Sequence, residues 1–370
     1  MYRHSWVEID LDALRFNFRK VKAHTPKEII CVIKADAYGA GDFFVVQAAL
    51  QEEITSFAVS SLDEALTLRN KGVKEKIIIL GFVDVCDIPL CIQHNLIVTI
   101  TSLQWLKEII TTNPTNLVVH LKLDTGMNRV GIKTLSDAKE CLALCLEHKI
   151  IPEGIFTHFA CSDNHDKKMS HHQFEQFSSI VSELQYPFKS IHTANSDAIF
   201  SFEDNLSTAV RLGISMFGIS SYRNDLQPVF SLHSKLSCIK EIEAEESVGY
   251  GATYVAKEKE IIGTVPIGYA DGLNRRNQNR QVWINNTLVP LVGQICMDQC
   301  MVKLPQHYPL GTEVEFFGKH IDVTQVAKEI GTIPYEILTG LSERLPRLYL
   351  ENNTIIQEIN ARLDYSKKMG

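Results

Sequence analysis

The sequence predicts an α/β protein, a (β/α)8 TIM-type barrel followed by a mostly β C-terminal domain. Two observations carry that expectation. Eight short apolar runs alternate with amphipathic, helix-like stretches, and the runs are almost continuously apolar, as strands buried on both faces must be. Beyond residue 230 the alternation gives way to short β-like runs separated by Asn, Pro and Gly.

In chain order the runs are Ile29–Lys34, Phe57–Ser60, Lys76–Gly81, Ile97–Thr101, Leu117–Thr125, Gly154–Phe159, Ser190–Ser196 and Val210–Ile214. Helix-like stretches separate most of them, among them Ser61–Lys71, Ser102–Thr112 and Thr134–His148. A doubly wound open sheet has the same alternation, because periodicity counts strands without closing them. The expected domains are residues 1–230, the barrel, and 231–370, with a strand near residues 2–10 as a candidate to pair with the second. That second domain contains the runs Val282–Ile284, Leu288–Val292 and Met301–Leu304, a helix over Val323–Ile330, and a polar tail, Tyr365–Gly370, expected to fray.

With 45% hydrophobic and 22% charged residues and a mean hydropathy of -0.03, the chain has the composition of a water-soluble globular protein. Its net charge of -7 and lack of a basic block argue against nucleic acid or acidic lipid as partners and favour a small-molecule role. No run approaches the ~18 apolar residues of a membrane helix, and the N-terminus lacks the apolar stretch of an export signal. Nine cysteines without CxxC spacing suit reduced thiols in the cytoplasm, and no Cys/His set implies a metal.

Lys34 ends the first run, where barrel enzymes place catalytic groups. In a partly desolvated mouth its pKa falls, and the free amine forms a Schiff base with a carbonyl compound such as pyridoxal phosphate, PLP. A surface lysine at a strand edge is the plain alternative. His158, Asn195, Ser196, Arg211 and Gly213 reach the same end of the inferred barrel. Ser196 and Gly213 suit a phosphate site built by the last two loops, against helix capping by Ser196. Arg211, inside an apolar strand, keeps its charge and needs an acceptor, so a structural ion pair is its alternative. The stretch 122–131 holds Lys122, Asp124 and Arg129 beside two glycines, and Tyr250 stands between Gly249 and Gly251; each also suits an ordinary turn.

Nine segments, in order over nearly the whole chain, resemble the alanine racemases. They are VEIDLDAL (7–14), VIKADAYG (32–39), LKLDTGMNRVG (121–131), THFACSD (157–163), HTANSDA (192–198), RLGISMFG (211–218), GYGATY (249–254), PIGYADG (266–272) and ICMDQ (295–299). The resemblance implies a PLP-dependent isomerase that interconverts L- and D-alanine, which in bacteria generally supplies D-alanine for peptidoglycan precursors.

Under that resemblance Lys34 matches the lysine that holds PLP and exchanges a proton at the substrate α-carbon. Tyr250 matches the opposing base, donated by the second subunit of a homodimer. His158 and Arg211 match residues linking that tyrosine to the cofactor, with Arg211 opposite the pyridine nitrogen. Tyr38, Ser196, Gly213 and Ile214 match phosphate-side contacts. Arg129, Met297, Asp298 and Tyr269 match substrate-side residues, and Lys122 a position carbamylated in many relatives. Two residues depart from the pattern: Ala40, where relatives often have histidine, and Glu343, where many have a tyrosine that reaches the phosphate. Glu343 makes serine, or a broader set of amino acids, the alternative substrate. A non-catalytic PLP-binding barrel would lack Tyr250 and the C-terminal domain, and a decarboxylase of this architecture would place an acid where Arg211 stands.

Overall fold

The computed structural model describes residues 2–363, so the tail Tyr365–Gly370 lies outside the described residues. The chain forms two compact units: Arg15–Leu226, and the segment up to Leu14 together with the chain from Gln227 onward. No helix among the described residues is long and apolar enough to cross a membrane.

Strand β1 (Ser5–Asp10) belongs to the C-terminal unit. In the other unit, β2 (Glu28–Val32), β3 (Ser56–Val59), β4 (Lys76–Ile79), β5 (Ile97–Ile100), β6 (Val118–Lys122), β7 (Ile151–Phe156), β8 (Ser190–His192) and β9 (Ala209–Leu212) are parallel neighbours. The ring closes where β9 pairs with β2, from Glu28 opposite Ala209 to Cys31 opposite Leu212. Closure excludes the doubly wound sheet. Ile77, Ile78, Ile79, Phe57 and Ala58 are fully buried, which is why these strands carry no polar alternation. Ser61, Ser102 and Thr134 accept from backbone amides at N3 and so start helices Leu62–Asn70, Leu103–Ile110 and Leu135–Glu147 close to where the pattern placed them.

All eight strands end before the predicted runs do, and the larger differences shape the barrel mouth. The run Leu117–Thr125 stops pairing as a strand at Lys122, because the chain loops back and Leu123 bridges Ile132. The run Ser190–Ser196 stops at His192, because Asn195 caps a short helix, Ser196–Ser201. Likewise β2 ends at Val32 and β7 at Phe156, so Lys34 and His158 stand in the loops that follow them.

The C-terminal unit contains a ten-stranded sheet in which β1 lies between Phe230–Lys235, antiparallel, and Arg347–Glu351, parallel. Strands Gln281–Ile284 and Thr287–Val292 form a hairpin whose turn, Asn285-Asn286, has positive φ at both positions, a geometry asparagine tolerates. Asp322 caps helix Val323–Ile330, and Gly331 ends it in the left-handed region.

Candidate active site

The loop that carries Lys34 is the most strained segment at the barrel mouth. Ala35, Asp36, Ala37 and Tyr38 have φ of 53, 52, 50 and 59°, a full left-handed turn made without glycine. Each such residue costs about 1–2 kcal/mol, so the surroundings must hold the turn in place. The Gly39 amide donates to the Ala35 and Asp36 carbonyls, the Asp42 amide to Asp36 Oδ1, and the Ala35 amide to Glu64 Oε1 at 2.7 Å. Tyr38 and Ala40 are buried, so the position where relatives often carry histidine is here a methyl group inside the packing. Lys34 itself is half-buried. Desolvation, reinforced by the Arg129 charge and opposed by Glu64, lowers its pKa below the usual lysine value.

Arg211 is the buried centre of the mouth. Its Nη1 donates to the His192 carbonyl at 2.9 Å and to His192 Nδ1 at 2.6 Å. Its Nη2 donates to the carbonyls of Thr157 and Thr193, both at 2.8 Å, and lies 3.3 Å from His158 Nδ1. No carboxylate is among these partners, so the structural ion pair is excluded. The Nε–H is left without a partner among the described residues. Burial and the Arg129 charge pull the guanidinium down to about 9, still protonated at neutral pH. His158 is held well below the ordinary imidazole value, by burial first and Arg211 second.

Lys122, at the end of β6, donates to the Leu123 carbonyl at 2.7 Å and sits 5.5 Å from the centre of the Phe156 ring. Burial, with Arg211 and Arg129 adding to it against Asp124, lowers its pKa to about 7. Arg129 is exposed, yet its charge is felt at Lys34, Lys122, His158 and Arg211. The barrel mouth therefore gathers five basic side chains under a net demand for an anion.

Ser196 does not cap the helix that follows it, because Asn195 does. Its hydroxyl instead accepts from the Gly213 amide at 2.8 Å. A Cβ on Gly213 would lie 2.8 Å from Tyr38 Oη and 3.3 Å from Ser196 Oγ, so the missing side chain keeps a cradle open between these residues. Ile214 opens a 3-10 turn at the same place, where leading amides have no partner within the turn.

The remaining candidates lie in the C-terminal unit. Tyr250 is 73% exposed, with Gly249 and Gly251 at positive φ on either side. Tyr269 and Met297 are also exposed apolar side chains, and their loops are tied: the Tyr269 amide donates to Cys296 O, and the Ala270 amide to Met297 O. Gly268 permits this approach, since a Cβ there would lie 2.3 Å from Cys296 O. Asp298 accepts from Arg344 Nη2 at 2.7 Å, and Arg344 also faces the fully buried Asp271 at 3.6 Å. Glu343 is exposed.

Sequence reasoning missed His192 as a partner of Arg211, Glu64 as the anchor of the Lys34 loop, and the left-handed turn. His192 was legible only as the first letter of a strand-end segment, and nothing in Ala35–Ala37 signals positive φ.

Comparison with known proteins matches residues 9–221 to the family model "Alanine racemase, N-terminal domain" and residues 229–349 to "Alanine racemase, C-terminal domain". The chain is 40% identical to the alanine racemase of Anoxybacillus flavithermus, covering 98% of this chain and 99% of that one. It is 38% identical to alanine racemase 1 of Bacillus subtilis, over 98% of this chain and 97% of the relative. The crystal structure of alanine racemase from Bacillus anthracis with bound L-Ala-P superposes with a TM-score of 0.93 at 37% identity, covering 98% and 99% of the two chains. A histidine racemase from Leuconostoc mesenteroides superposes with a TM-score of 0.88 at 27% identity, over 95% of this chain and 99% of that one.

Proposed function

The chain belongs to the alanine racemase family, and on that premise we propose that it interconverts L- and D-alanine as a PLP-dependent isomerase. The observation that carries the reading is the cradle left open by Gly213 between Tyr38 and Ser196, in the strand-and-turn segment that also carries Arg211. A phosphorylated, anionic ring fits this mouth: the cradle suits its phosphate, Arg211 retains one Nε–H to donate, and Lys34 supplies the amine that holds it. When bound, PLP supplies the electron sink that makes an α-C–H bond acidic enough to break.

Racemisation needs one base on each face of the α-carbon, and we assign these to Lys34 and to Tyr250 of the partner subunit. The lowered pKa of Lys34 gives a larger fraction of free amine at neutral pH. Tyr250, 73% exposed, would enter the site of a second copy, which makes a homodimer part of the proposed chemistry. His158, held neutral beside Arg211, joins this tyrosine to the ring. Arg211, which does not yield its proton, would face the ring nitrogen as a hydrogen-bond donor. Arg129 would pair with the substrate carboxylate, with the segment at Met297 and Asp298 of the partner subunit beside it and Tyr269 near the way in. Lys122, at about 7, presents enough free amine to add carbon dioxide; the carbamate formed, with loss of one proton, gives Arg129 an anionic partner. A cytoplasmic place supplying D-alanine for peptidoglycan completes the reading.

The test is a chiral assay in deuterated water on the full chain with PLP. Wild type takes up α-deuterium from both alanine enantiomers, Lys34→Ala shows no Schiff-base absorbance, and Tyr250→Phe exchanges from one side alone. Equal two-sided exchange in the tyrosine variant sinks its role. Serine, or a broader substrate set, is the second reading, favoured by an exposed Glu343 where many relatives carry tyrosine.

A further inference from the structure

The hydrogen bonds behind Arg211 continue through the barrel interior. His192 Nδ1 faces Arg211 at 2.6 Å, and His192 Nε2 lies 3.0 Å from His120 Nδ1. Among the described residues His120 Nε2 has no hydrogen-bond partner, and the Glu153 Oε1 carboxylate oxygen lies 3.9 Å from it. Lys76 Nζ, on the first residue of β4, stands 3.1 Å from the same oxygen. His120 and His192 are both 0% exposed.

Donor chemistry sets the direction of every proton in this line. Arg211 has only donors, so His192 Nδ1 must accept and its proton must sit on Nε2. His120 Nδ1 must then accept from that Nε2–H, which leaves the second proton on His120 Nε2, directed at Glu153. The barrel is also shaped around these rings. A Cβ on Gly154 would lie 2.6 Å from His120 Nε2, so β7 carries glycine where the imidazole passes. The β6–β7 register shifts at Val119/His120, and Phe156 stacks on His192 at 4.6 Å and 11°.

We propose that His192 and His120 form a two-imidazole strut, anchored on Glu153 and Lys76 at the base of the barrel, that positions Arg211 and reserves its Nε–H for the bound ring. The strut occupies both Nη1 protons of Arg211 from behind, through the His192 carbonyl and Nδ1, while the Thr157 and Thr193 carbonyls occupy Nη2. The guanidinium then has one orientation. His192 and His120 touch neither substrate nor ring; they act through Arg211. The ligand part of this inference rests on the reading above, whereas the tautomers do not.

The test has two arms on the full chain. In the first, nitrogen-15 spectra of histidine-labelled wild type report the protonation of each ring nitrogen. Both rings are expected neutral, with pyridine-type Nδ1 and protonated Nε2. An imidazolium, or an Nδ1–H on His192, overturns the strut whether or not the chain racemises alanine. In the second arm, His192→Phe is expected to weaken PLP binding and lower kcat by about ten- to a hundredfold with little change in KM for alanine. His192→Gln, which can accept and donate at once, restores most of that loss. His120→Phe loses less alone and nothing further when added to His192→Phe, because the two act in series. Additive losses, or failure of Gln to rescue, overturn the strut. Correct tautomers in a chain without racemase activity would leave the strut standing and remove the proposed function.

Discussion

The candidate residues of the barrel unit and those of the C-terminal unit differ in burial and in bonding. Around Arg211 every Nη proton is committed, the histidines are held neutral, and Lys122 is shifted to about 7. Tyr250, Tyr269 and Met297 are exposed, and of the charged C-terminal candidates Asp298 is tied to Arg344 while Glu343 is exposed. The difference teaches a division of labour. Under the proposed function, groups that hold charge fixed in low dielectric are built within one chain, whereas the exposed Tyr250 would meet another chain.

That comparison breaks most decisively if the two halves of one site come from the same chain. Lys34→Ala and Tyr250→Phe homodimers should each lose at least about a hundredfold in activity, since each lacks one base. Mixed and re-associated, the two inactive variants form heterodimers with one fully native site and one doubly damaged site. Equimolar mixing should return about a quarter of wild-type activity, from half of the dimers carrying one of two sites. No recovery, with heterodimers confirmed by mass spectrometry, puts Tyr250 in its own chain's site.

The next effect is confined to the barrel half. Gly213→Ala fills the cradle beside Tyr38 Oη and Ser196 Oγ, and the polar groups around it cannot retreat far because both residues are buried. PLP affinity, read by absorbance titration, should fall about tenfold while the apoprotein melts within a few degrees of wild type. Unchanged affinity moves the phosphate elsewhere.

These two regions were also unequally legible. The buried parallel strands were readable because Ile77–Ile79 and Phe57–Val59 carry no polar residue to mark an outer face, although their closure was not, and Lys34 because a lysine ending such a run is poorly placed for simple solvation. The mouth's geometry was not. Left-handed φ at Ala35–Ala37 comes from the packing of Tyr38 and the Glu64 bond, which single-residue propensity opposes. Asn195 and Ser196 compete for the same cap, and only the fold assigned it to asparagine. In the C-terminal unit, motifs located the candidates, but their exposure is a property of the folded surface.

Smaller still is the effect of Glu343→Tyr. Glu343 is exposed, while its neighbour Arg344 is bound to Asp298. If the carboxylate admits a more polar substrate, the ratio of kcat/KM for L-Ser to that for L-Ala should fall several-fold in the tyrosine variant, within the range one side-chain contact supplies. An unchanged ratio removes the broader-specificity reading and leaves alanine.

The smallest expected effect distinguishes the histidines of the two units by pH. His158 and His192 are pushed well below 6.5, with burial the leading cause. His233 in the C-terminal unit, although burial pulls it down, is raised overall by the Glu313 carboxylate, 2.8 Å from its Nδ1, and by Glu8 and Glu315. A depressed histidine contributes stability above pH 6.5 that is lost as pH falls through its folded value. A raised one contributes fully below 6.5 and loses that contribution as pH rises through its folded value. Acidification therefore works against the barrel and in favour of the His233 pair. Glu313 is half-exposed, so the pair is worth less than about 1 kcal/mol. His233→Asn removes the ring's stacking on Trp6 at every pH, and the pair only in acid. The extra loss of Tm at pH 5.5 over that at pH 8 isolates the pair, and it should be small and positive. Imidazole proton resonances in the same samples should show His233 titrating above 6.5 and neither His158 nor His192 titrating there.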